Sequence, residues 1–94
     1  MTEQVKRRKN KKPMREQQIR MLTGIVIRML RETKGLTQED VAKRAEMERT
    51  SITNIENGTQ GTPLHILFAL SKALGMKASR IVNQIESLSG DLPQ

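Results

Sequence analysis

Four residues in the middle of the chain carry groups that hydrogen-bond or pack in a defined direction: Arg49, Thr50, Thr53 and Asn54. On a helix their spacing puts them outward while Ile52 and Ile55 point inward. A guanidinium reaches guanine bidentately, an asparagine amide matches adenine, and a threonine methyl contacts thymine. These residue types therefore suit base edges in a DNA major groove. A short polar helix that merely faces solvent has the same pattern, so spacing alone leaves both readings open.

Other chemistries lack their parts. The 94 residues include no Cys, which removes disulfides, thiolate nucleophiles and cysteine zinc sites. The one histidine, His65, lies between Leu64 and Ile66 without a catalytic or metal-binding companion. It reads as a structural side chain, and no enzyme activity, metal or cofactor is expected. Phe68 is the sole aromatic residue, which argues against a binder built on base-stacking platforms. The six Met residues read as gap-filling core. No apolar run approaches the roughly 18 residues of a membrane span. The basic start is not followed by the apolar stretch of a signal peptide. The expectation is a small, soluble, cytoplasmic protein that is not an enzyme.

The formal charge of +7 is concentrated at one end. Residues 1–15 hold seven basic side chains (Lys6, Arg7, Arg8, Lys9, Lys11, Lys12 and Arg15) against Glu3 alone. Residues 16–94 hold ten against nine. Residues 1–13 carry one apolar side chain, Val5, and cannot bury enough surface to offset the entropy of ordering. They read as a flexible basic arm. A solubilising tail is one use for it. Laying Lys6, Arg7, Arg8, Lys9, Lys11 and Lys12 along DNA phosphates, with release of counterions, is the other.

Helical periodicity runs through the rest, with no strict alternation to suggest a strand. Ile19, Leu22, Val26, Met29, Leu30 and Thr33 predict a first helix over about 14–33, ended by Lys34-Gly35. Met14, Met21 and Ile25 form a second apolar line on it, and Gly24 marks a close approach or a bend. Thr37 with Asp40 predicts a capped second helix over about 38–45, burying Val41, Ala42 and Ala45. After Glu46-Met47-Glu48 a third helix spans about 49–57. A fourth follows over about 63–74, with Thr62 as cap and Pro63 in its first turn. A fifth covers about 78–88, and 89–94 reads as a flexible tail. Helices two and three, joined by three residues, form a helix-turn-helix pattern.

Three stretches now resemble a known family. Arg31-Glu32-Thr33-Lys34-Gly35-Leu36-Thr37-Gln38-Glu39-Asp40-Val41-Ala42 resembles the opening of the Cro/CI-type (XRE) helix-turn-helix domain. Ser51-Ile52-Thr53-Asn54-Ile55-Glu56-Asn57-Gly58 resembles the close of its recognition helix, and Ala69-Leu70-Ser71-Lys72-Ala73-Leu74-Gly75-Met76 its fourth helix. The likeness covers roughly residues 22–85. It implies an all-α, five-helix, lambda-repressor-like fold over 14–88 and a regulator of transcription, most simply a repressor, with autoregulation as one form, that binds double-stranded operator DNA. It implies that Arg49, Thr50, Thr53 and Asn54 read bases. Gln38 would bond a phosphate and brace the recognition helix, Asn57, Thr59 and Gln60 would bind phosphates, and Arg31 and Glu56 would pair structurally. The Arg49-Thr50 pair followed by Ile52 is similar to the restriction–modification controller branch.

Departures from the family pattern also carry expectations. Glu46 replaces the usual turn glycine and Glu48 the usual Ser or Thr cap. The loop Thr59-Gln60-Gly61-Thr62, often cationic, has no charge. A homodimer on a palindromic operator is implied, with Ile81, Val82, Ile85 and Leu88 as the first candidate interface and Met14, Ile19 and Met21 as the second. Two other functions remain in view: an antitoxin that also binds a toxin, and a DNA-binding coactivator of low sequence preference.

Overall fold

The computed structural model describes residues 15–90. The basic residues expected along phosphates from Lys6 to Lys12, and Met14, lie outside them. Five helices follow in order: α1 Glu16–Thr33, α2 Gln38–Ala45, α3 Arg49–Asn57, α4 Leu64–Ala73 and α5 Ala78–Ser89. Among the described residues there is no strand. α1 packs against α3 and α5, α2 against α3 and α4, and α4 against α5.

The core is entirely aliphatic. Val26 and Ile27 of α1, Val41 of α2, Ile52 and Ile55 of α3, Leu70 and Leu74 of the α4 region and Ile81 of α5 are all but sealed from water. Met47 and Met76 fill gaps beside them, as expected, but Met21 and Met29 are exposed. The buried stripe of α1 is rotated from the predicted one: Ile19 and Met29 are 44% and 40% exposed, while Thr23, Gly24 and Arg31 are inside. A hydrophobic count passes over a glycine and an arginine, yet these two face α3.

Helix ends follow local chemistry. Thr37 caps α2: its Oγ1 accepts from the Asp40 N–H at 3.0 Å, and the Thr37 N–H donates to Asp40 Oδ2 at 2.9 Å. Hydrogen bonding to the carboxyl from the Thr37 backbone N–H first, and from its hydroxyl second, holds Asp40 below the usual aspartate range. α1 starts two residues later than predicted, at Glu16, with Arg15 as its N-cap. α4 starts one residue later than predicted: Pro63 takes the cap position with ψ 159°, and its carbonyl accepts from Ile66 and Leu67. Neither Thr62 nor Pro63 supplies a side-chain cap, so the helix begins where the extended proline ends.

Candidate nucleic-acid interface

α2 and α3 are joined by Glu46, Met47 and Glu48. Glu46 adopts the left-handed conformation, φ 56° and ψ 49°, a cost of about 1–2 kcal/mol for an L-residue without a compensating bond. Its N–H donates to the Lys43 carbonyl at 3.2 Å, and Met47 N–H to the Ala42 carbonyl at 2.9 Å. Glu48 is the N-cap residue of α3, but its side chain makes no capping bond. Its negative charge still favours the positive end of the helix dipole.

The inner side of α3 is fastened to α1 and α2. Arg31 Nε donates to Glu56 Oε2 at 2.6 Å, and Arg31 Nη2 to Glu56 Oε1 at 2.9 Å. Arg31 Nη1 donates to the Leu36 carbonyl at 2.9 Å. The Glu56 side chain is only 2% exposed. Its hydrogen bond, more than burial or charge alone, sets the Arg31 pKa, and moves it above the ordinary arginine range. Arg31 is therefore committed to the fold.

Gln38 extends this network. Its Nε2 donates to Glu56 Oε1 at 3.0 Å, and its Oε1 accepts from the Thr53 hydroxyl at 2.9 Å. One amide thus links the start of α2 to two turns of α3. The second Nε2 hydrogen has no acceptor in this network. Thr53 has a single hydroxyl hydrogen, shared between Gln38 and the Arg49 carbonyl at 3.2 Å. That hydroxyl has a lone pair rather than a free donor left for a ligand.

Gly24 is what lets α1 and α3 meet. A Cβ there would fall against the Ile55 carbonyl oxygen and 2.5 Å from that of Glu56. Both are backbone atoms, so nothing can swing aside. The expected close approach is present, without a break in α1.

The outer side of α3 is uncommitted. Arg49 and Thr50 are exposed and Asn54 is half-buried, with Ile52 and Ile55 beneath. Among the described residues, no hydrogen bond occupies the side chains of Arg49, Thr50 or Asn54. After α3 the chain turns at Gly58, φ 80°, and the Asn54 carbonyl accepts from the Thr59 N–H, Thr59 Oγ1 and Gln60 N–H. Asn57, the last residue of α3, and Thr59 are exposed and Gln60 is half-buried. Gln38, at the start of α2, is bonded to Glu56, the residue before Asn57.

Two features escaped the sequence reading. Arg20, near the start of α1, lies against the loop after α3, a neighbour that sequence separation conceals. Leu64 and Phe68, one turn apart on α4, are 65% and 56% exposed. Among the α5 candidates, Ile81 is fully buried and closes the monomer core, which corrects its assignment to a subunit contact. Ile85 packs partly against the same core, whereas Val82 and Leu88 are exposed. Met21 and Ile19 of the second candidate set are exposed too. His65 is exposed. No helix among the described residues is long and apolar enough to cross a membrane, and no cluster of metal-binding side chains occurs among them.

Comparison with known proteins places this geometry. The helix-turn-helix family profile matches residues 27–81. The competence pilus inhibition repressor of Acinetobacter baylyi is 34% identical over 68 residues, 72% of this chain; the chain spans 62% of that repressor's length. Control protein C.BamHI of Bacillus amyloliquefaciens is 35% identical over 66 residues, covering 69% of this chain and 82% of that protein. The crystal structure of the restriction–modification controller protein C.Esp1396I, a tetramer on its natural 35 base-pair operator, superposes with a TM-score of 0.69. It is 26% identical and covers 73% of this chain and 91% of that one. With a profile match over the whole helix-turn-helix unit and relatives of this kind, the chain belongs to the Cro/CI-type (XRE) helix-turn-helix family of DNA-binding transcriptional regulators.

Proposed function

We propose that the protein is a dimeric repressor or autorepressor that reads a palindromic operator with α3 in the major groove. Arg49, Thr50, Thr53 and Asn54 contact base edges. Gln38, Asn57, Thr59, Gln60 and the basic residues between Lys6 and Lys12 contact phosphates. One observation carries the reading: α3 is clamped on its inner side by Arg31, Glu56 and Gln38, while Arg49, Thr50 and Asn54 remain unbonded outside. A rigid helix with free directional groups can discriminate bases without first ordering itself.

A single helix in a single groove buries little surface and reads few base pairs. A two-fold dimer places two recognition helices about 34 Å apart on one face of the duplex. Val82 and Leu88 of α5, with Leu64 and Phe68 of the adjacent α4, supply exposed apolar area for it. The similar controller protein occupies its operator as a multimer, which agrees with this arrangement.

Selection from a randomised duplex library at about 150 mM salt tests the proposal, with wild type and Arg49→Ala side by side. The wild type should enrich a palindrome, and Arg49→Ala should relax one position in each half-site by about 1–3 kcal/mol of discrimination. If neither protein enriches any sequence, the reading fails and binding of low preference takes its place.

A further inference from the structure

α1 starts well before the helix-turn-helix unit, and its early turns run beside the segment that follows α3. A Cβ on Gly58 would stand 3.2 Å from Met21 Cα, and one on Gly61 would stand 3.7 Å from Arg20 Cδ. That segment, Thr59 to Thr62, carries no charge. The unit it closes, residues 37–57, holds five carboxylates against three cations. The positive charge a phosphate needs is scarce here.

The arginines around this unit differ in what they are already doing. Arg31 is taken up by Glu56. Arg44 donates to the Ala73 carbonyl at 3.3 Å, on the α4 side of α2. Arg20 has a packed stem and a charge with little hold on it. Its Nη1 lies 3.2 Å from Oε2 of Glu16, whose side chain is 81% exposed, and such a surface pair contributes little. Its Nε is buried without a hydrogen-bond acceptor among the described residues.

We propose that Arg20 is the phosphate-binding cation of the α3–α4 loop, supplying from α1 the charge that the loop's own sequence lacks. The assignment rests on the DNA-binding reading above. A guanidinium fork suits phosphate oxygens, and a stem held against Gly61 has less rotamer freedom to lose on gripping one. A phosphate displaces Glu16 as its partner. Standing beside α3 rather than on its outer face, Arg20 contacts the DNA backbone and carries no base preference.

The test is binding of the full chain to its selected operator and to a scrambled duplex, by fluorescence anisotropy between about 50 and 200 mM salt. Arg20→Gln should lower the slope of log K against log salt by about 0.9, equally on both duplexes. Over that range the wild type then loses about 3.5-fold more affinity than the variant. Arg20→Lys should keep the slope. An unchanged slope for Arg20→Gln, or a loss confined to the operator, overturns the proposal. Glu16→Gln serves should Arg20→Gln fail to fold. Release of the guanidinium should tighten binding to both duplexes by more than Glu32→Gln does, a neutralisation on the same helix, and equal effects overturn the proposal. A wild type that binds neither duplex overturns the DNA-binding reading itself. Wild-type binding with an unaltered Arg20→Gln slope overturns only this assignment.

Discussion

Arg31 and Glu56 meet where water is excluded, so removing either strands a charge. Arg31→Ala should cost about 3–5 kcal/mol of unfolding free energy, measured by urea denaturation. Arg49→Ala should leave stability within about 0.5 kcal/mol, because that side chain is exposed and makes no hydrogen bond within the fold. A loss below about 1 kcal/mol for Arg31→Ala would show that water replaces the pair. Asp40 gives a pH-dependent counterpart. Its carboxyl is depressed in the folded state, so the stabilisation is present above the ordinary aspartate value of about 3.9 and is lost as pH falls through the depressed one. The stability gap between wild type and Asp40→Asn should therefore be widest near neutral pH and close below about pH 4, in urea midpoints taken along a pH series. At this scale much was legible in the sequence. Thr37 and Asp40 stand at capping-box spacing, and Ile52 and Ile55 fix which side of α3 is free. The resemblance implies that Gln38 braces α3, but its partners were not legible, because Glu56 and Thr53 are brought to it only when α2 and α3 pack.

The elements are placed by one small residue as much as by the core. At Gly24 the α1 and α3 backbones are too close for any side chain. Gly24→Ala should destabilise by about 1–3 kcal/mol in urea denaturation, although Ala is the better helix former by about 1 kcal/mol. A stabilised Gly24→Ala protein would mean that α3 shifts freely on α1 and that the clamp is loose. The ranges of α2 and α3 were readable to the residue, because a capping threonine, a three-residue turn and Asn57-Gly58 bound them. The face of α1 was not. Its inward side includes Thr23, Gly24 and Arg31, whose reason for being inside is the carbonyls and carboxylate of α3 rather than their own hydrophobicity.

Across the whole molecule, charge and recognition are held by different parts of the chain. The basic surplus lies in residues 1–15, while the helix-turn-helix unit is net acidic. Deleting residues 2–12 should flatten the salt dependence of DNA binding by several units, about 0.9 for each phosphate no longer neutralised, and leave the selected base sequence in place. An unchanged slope would assign affinity to the folded domain alone. The outer face of α5 was only partly legible, since Ile81 closes the core while Val82 and Leu88 stay exposed. The bond between Gln38 and Thr53 bears on how such a regulator diverges over generations. Arg49 and Thr50 are exposed and can be exchanged without disturbing the fold, so under the proposed reading a duplicated copy would acquire a new operator there by single steps. Thr53 is tied to the same amide that steadies Glu56, and a change there must be matched at Gln38. If α3 reads bases as proposed, positions met by its first turn should drift readily between descendants, and the one facing Thr53 should change last.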